Sequence, residues 1–264
     1  MKAKFFLLFS VLLMLAPLAA YAETTSPVEQ LDEISDEALQ MAKLHRYDDA
    51  NRILKHFSEE FLTVTGNGRP FSMDELRIIT VAHEEAVEAM ANAEMGHNER
   101  MNKVTKFRLA IDAIASTHQP LWTEMEGPIM TVFNNVKTAA NEGNNDQFHT
   151  NLNSFLSLYN VIYPSMKIDI NPETIQKIDA KVSFIDQYRP QVLSEASSQE
   201  ELEALESDLQ TIFDEMTEDE ADPSLWWVMI STGSIIILTL SYVGWRKYKG
   251  DSKKSKKVQK ERKN

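Results

Sequence analysis

The chain has 264 residues, no cysteine and a formal charge of −13. The lack of thiols excludes disulfides, thiolate zinc sites and cysteine nucleophiles together. Residues 23–224 hold 15 basic against 38 acidic side chains, about −23, so this region repels phosphate backbones and nucleic acid is excluded as its partner.

Residues 1–22 read as a signal peptide. Lys2 and Lys4 precede an apolar run from Phe5 to Leu18, and Ala20-Tyr21-Ala22 supplies the small residues of a cleavage site between Ala22 and Glu23. The run is shorter than the roughly 20 residues that a spanning helix needs.

Residues 23–213 read as an acidic, all-α region outside the cytoplasm. Leu31, Ile34, Ala38 and Ala42 recur at three- and four-residue spacing, and Ile53, Leu54, Phe57 and Phe61 continue the pattern beyond a corner at His45–Asp49. Gly66-Asn67-Gly68-Arg69-Pro70 is a clear break. Ser72 with Glu75 predicts a capping box for a helix running to about Met95. Gly96 ends it, and Asn98 is the expected cap of a helix to about His118. The next helix is expected over Leu121–Asn141, bent or restarted at Pro128.

Gly143–Asp146 turns the chain into a helix over Gln147–Tyr163. Pro164 is expected to stop it, leaving Met166–Ile170 as an extended connector. Asn171-Pro172 predicts a capped start for a helix that ends before Pro190. Leu202, Leu205, Leu209, Ile212 and Met216 predict a core-facing stripe on a helix over about Ser198–Met216.

Ala38, Tyr47 and Ala50 share their spacing with Ala139, Phe148 and Asn151, a pattern similar to the helical hairpins of tetratricopeptide repeats, with His45 where glycine is usual. The expected fold is an all-α helical-hairpin bundle with tetratricopeptide-like pieces and one C-terminal transmembrane helix.

Residues 214–224 form an acidic juxtamembrane stalk, and 225–245 read as the transmembrane helix. Pro223 to Trp245 carries no charge, and Leu225–Trp245 extends roughly 31 Å as a helix, enough for a hydrocarbon core. Trp226 and Trp227 at one end, and Tyr242 and Trp245 at the other, are expected at the membrane interfaces. The tail, 246–264, holds ten basic residues against two acidic ones. Its first cations, Arg246, Lys247 and Lys249, orient the C-terminus toward the cytoplasm.

No catalytic, cofactor or metal motif survives inspection. His83-Glu84-Glu85-Ala86-Val87 begins like a zinc-protease helix, but Val87 stands where the second imidazole belongs. The remaining histidines are scattered and read as solvated or capping residues. Phe148, Phe155, Tyr159 and Tyr163 align along one side of a helix, as core or as a partner contact. Glu84 and Glu124 are a carboxylate pair that an enzyme would need to bring together.

Met41-Ala42-Lys43-Leu44-His45-Arg46-Tyr47-Asp48-Asp49-Ala50, the Trp226-Trp227 helix and the lysine-rich tail resemble the YpjB family of sporulation proteins from endospore-forming Bacilli. The resemblance implies a role in spore formation and a membrane location, with no reaction, ligand or catalytic residue attached. The expectation is a single-pass cell-membrane protein with no cofactor. It embeds in the lipid bilayer, and its ectodomain contacts an unidentified envelope protein without catalysing a reaction. The alternatives are a sensor or binding protein for a small envelope ligand, and an envelope enzyme.

Overall fold

A computed structural model describes residues 26–66, 71–116, 119–218, 228–245 and 247. The leader with Ala22 and Glu23, most of the stalk, Trp226, Trp227, Arg246, Lys249 and the rest of the tail lie outside the described residues. Those described are helical, with no strand among them. The region expected as one ectodomain divides into two compact units at Ala115/Ser116.

The first unit comprises α1 (Pro27–Lys43), α2 (Tyr47–Gly66), α3 (Met73–Ala91) and α4 (His97–Ala115). Ser26 caps α1 with Glu29 reciprocating, and Ser72 caps α3 with Glu75 as expected, so orphan amides at both starts are satisfied. Leu31, Ala38, Leu54, Phe57, Ile79, Ala86, Val104 and Phe107 fill the core, with Phe57 edge-on to Phe107 at 4.8 Å. Each helix packs on the next, and α4 returns to pack on α1, which closes an up-and-down bundle. Helix α4 begins at His97, one residue before the expected cap. Helix α3 stops at Ala91, short of Met95, where the backbone turns extended at Asn92, and the Arg100 side chain bonds the carbonyls of Asn92 and Met95 in the turn that follows.

The second unit opens with a 3₁₀ turn, Leu121–Met125, followed by α5 (Glu126–Asn141), α6 (Asn145–Asp169), α7 (Pro172–Gln187), α8 (Arg189–Ser194) and α9 (Ala196–Glu218). Pro128 falls in the first turn of α5, where a missing N–H costs little. Asn171 caps α7 through the Thr174 amide. The stripe on α9 is core-facing: Leu202, Leu205, Leu209 and Ile212 are buried, joined by Phe213. Trp122 is fully buried and donates from Nε1 to Asp169 Oδ2 at 2.7 Å.

Pro164 does not stop α6, and there is no extended connector at Met166–Ile170; the helix continues to Asp169. The proline removes one backbone hydrogen bond. Burial of Val161, Ile162 and Met166 around it holds the helix in place, at about 1.5–3 kcal/mol for a large apolar side chain.

The likeness between the two halves is real but lies in another register. Helix α1 ends with Arg46 N–H on Met41 O at 2.9 Å and His45 N–H on Ala42 O at 3.0 Å. Helix α5 ends with Asn144 N–H on Ala139 O at 2.9 Å and Gly143 N–H on Ala140 O at 3.1 Å. Both are Schellman turns, closed by left-handed residues: His45 at φ 60° and Gly143 at φ 65°. The spacing from His45 to Gly143 is 98 residues, three fewer than the Ala38–Ala139 pairing implies. In this register buried Leu31, Ala42, Ala50, Leu54 and Phe57 fall on buried Ile129, Ala140, Phe148, Leu152 and Phe155. Val104, Phe107 and Ile111 of α4 fall on Leu202, Leu205 and Leu209 of α9. The first and last helices of the second unit also pack on each other. The two units are one four-helix design used twice, with α8 added after Tyr188, where Pro190 starts a new helix.

Helix α10 (Val228–Trp245) is 18 residues long and none of it is buried. Ile235, Ile237, Leu238 and Leu240 are more than half exposed, and the helix is long and apolar enough to cross a membrane.

Candidate functional site

The densest polar constellation sits at the α1–α2 turn of the first unit. His45, held in the left-handed conformation, projects its ring onto His97 at the start of α4; the imidazoles stack at 4.0 Å and 10°. His97 Nδ1 and the Tyr47 hydroxyl share a 2.8 Å hydrogen bond. The Arg100 guanidinium lies 4.1 Å above the Tyr47 ring, a cation–π contact. Histidines that look scattered in sequence therefore meet in space.

Arg100 is only 6% exposed. Its Nε donates to Met95 O at 2.9 Å and its Nη2 to Asn92 O, and it makes no ion pair among the described residues. A buried cation held by carbonyls and a ring is unusual, since buried charges are ordinarily paired. Arg100, with His45, Arg46, Tyr47 and Asp49, lines a surface cleft of about 460 Å³. Asp49 binds both Arg46 and Arg52; the hydrogen bonds from Arg52 and Arg46 hold its carboxyl below the ordinary range. Arg46 is thus engaged by a carboxylate, Arg100 borders the cleft with its hydrogen bonds going to carbonyls, and Asp48 adds a second carboxylate to the lining. Sequence reasoning singled out only the corner here. His45 in place of glycine was the available signal, because a non-glycine residue kept at positive φ accompanies functional or strained sites.

His83, from the failed zinc-protease pattern, packs between Phe57 and Phe107 and donates from Nε2 to Leu54 O at 2.7 Å. Burial holds its imidazole below the ordinary value, against the smaller opposing effect of that hydrogen bond. Among the described residues no three histidine or acidic side chains converge as metal ligands. Glu84 and Glu124 are both exposed, one in each unit.

On α6, Phe148, Phe155 and Tyr159 are buried, with Phe155 tilted against Phe133 at 4.8 Å. They fill the second unit's core and offer a partner no surface; Tyr163 alone is half-exposed. Burial, then the nearby Asp179 carboxylate, raises the Tyr159 and Tyr163 hydroxyls above the ordinary tyrosine value. A second cleft, of about 400 Å³ between α5 and α6, is lined by Asn135, Thr138 and Asn151 among other polar residues. Tyr242 and Trp245 are exposed on α10, and Lys247, just beyond its end, is exposed as well.

Residues 28–257 match the family described as sporulation protein YpjB. The chain is 34% identical over 240 residues to a Bacillus subtilis (strain 168) protein described as uncharacterized protein YpjB, covering 90% of this chain and 91% of that one. No solved structure matches. The chain belongs to the YpjB family of sporulation proteins.

Proposed function

We propose that this chain is a single-pass membrane protein of the sporulating cell, acting through protein contact rather than catalysis. Its helical units lie outside the cytoplasm and engage another envelope protein. The supporting observation is α10, an uncharged 18-residue helix with every apolar side chain left uncovered, following two units with filled cores. The leader and the basic tail agree on its orientation. Crosslinking in sporulating cells tests this by comparing the intact chain with one lacking residues 23–222 but keeping leader and anchor. The expected result is one abundant partner captured only by the intact chain. Identical captures from both chains would remove the contact role.

A second reading, binding of a small anionic envelope ligand, is favoured by one observation: buried Arg100 borders the cleft without a carboxylate partner among the described residues. Ligands that bind only the folded state raise its melting temperature. Acetate, phosphate and short acidic peptides should then stabilise the full-length protein, and Arg100→Lys should weaken the effect. Equal melting curves with all three anions would dismiss this reading.

A further inference from the structure

In the first unit, the contact between the first and last helices carries an ion cluster. Arg108 of α4, 7% exposed, donates from Nη1 and Nη2 to the two Asp32 oxygens of α1 at 2.5 and 3.1 Å. Asp36, one turn along α1, lies 3.7 Å from Nε. Asp112, on α4 itself, lies 3.8 Å from Nη1, so across the contact the cation is on the last helix and its bidentate acid is on the first.

The second unit reverses this polarity. Lys137 of α5, the first helix of the repeat, bonds Glu203 at 2.7 Å and also Glu206, both on α9. In the register fixed by the two Schellman turns, Glu206 occupies the position of Arg108. The buried positions around these clamps correspond, although their side chains differ, as Phe107 and Leu205 do, so α4 and α9 present related faces to a first helix. Charge distinguishes them sharply. Pairing α1 with α9 would set Asp32 and Asp36 against Glu203 and Glu206, and pairing α5 with α4 would set Lys137 against Arg108. Like charges at a packed contact are strongly disfavoured.

We propose that the inverted clamps sort the helices during folding, directing α1 to α4 and α5 to α9. They would suppress the exchange of equivalent helices, within a chain or between chains, to which tandem repeats are prone.

The test uses the full-length chain, refolded in detergent and treated with a carbodiimide that joins contacting lysines and carboxylates. Asp32→Lys, Asp36→Lys and Arg108→Glu together give both units the same polarity. Adding Lys137→Glu, Glu203→Lys and Glu206→Lys restores opposite polarity. In the first variant, the lysines introduced at 32 and 36 should couple to Glu203 and Glu206 about as readily as to the glutamate introduced at 108, with accompanying dimers that the second variant lacks. Within-unit products alone, in equal yield from both variants, would overturn the proposal. The unmodified chain supplies an independent measurement if the variants fail to fold. Refolding in about 1 M salt, where screening acts within about 3 Å, should leave more dimer than refolding in about 0.01 M salt. Equal dimer at both salt concentrations would also overturn the proposal.

Discussion

His45 and Gly143 hold the same backbone position in the two units, closing equivalent turns at φ 60° and 65°. A side chain in the left-handed region costs roughly 1–2 kcal/mol. At Gly143 an added Cβ meets nothing within 4 Å, so the cost of Gly143→Ala is conformational alone. It should lower unfolding free energy by about 1 kcal/mol in denaturant titration. In His45→Gly the relief of strain and the loss of the stack on His97 nearly cancel, leaving stability within about 0.5 kcal/mol while the Arg100 cleft opens.

Arg108 is the most heavily engaged buried cation of the first unit. Replacing it with methionine keeps the stem's packing and leaves Asp32 without its bidentate partner. Breaking such a pair from one side costs about 3 kcal/mol, to be read from chemical unfolding of the full-length chain. Asp36→Asn, at a half-exposed and more distant carboxylate, should cost under about 1 kcal/mol.

The acid sensitivity of the first unit has an identifiable source in His83. Because burial lowers its folded-state pKa, the neutral ring favours folding above the ordinary value of 6.5, and that contribution is lost as pH falls through the lower folded value. Melting temperature should therefore decline from about pH 6.5 downward, and His83→Gln should flatten that decline. Glu85 adds a second step. Burial raises its carboxyl, but Lys103 and Lys106 outweigh this and hold it below 4.5. Its stabilisation is present above that value and lost as pH falls through the folded one. Glu85→Gln should remove this lower step.

Core and surface on α6 should separate cleanly. Phe155→Ala removes a ring buried against Phe133 and should cost about 3–5 kcal/mol. Tyr163→Phe, at a half-exposed position, should leave stability nearly unchanged, with both measured by thermal unfolding.

Much of the helical layout was legible because its signals are local. The Ser72–Glu75 box, the Asn171-Pro172 start and the stripe from Leu202 to Ile212 each depend on residues within a few turns. Pro164 misled because burial of its neighbours, a tertiary effect, outweighed one lost hydrogen bond. The repeat was visible only as a faint likeness in the wrong register. Equivalent positions keep burial but change identity, as with Ser35 and Phe133, so shared residues are a poor guide. The site was the least legible part. His45 comes from the α1–α2 turn, Tyr47 from α2, and His97 and Arg100 from α4, and only the closure of α4 onto α1 brings the last two to that turn.

The orientation of the chain is the claim on which the rest of the account depends, and the lack of cysteine makes it directly measurable. Glu59→Cys, at an exposed position of α2, and Ser255→Cys, in the basic tail, each introduce a single thiol. Intact sporulating cells are then treated with a membrane-impermeant maleimide. The account predicts labelling at position 59 and none at 255 until the membrane is opened. Labelling at 255 with protection at 59 would contradict it.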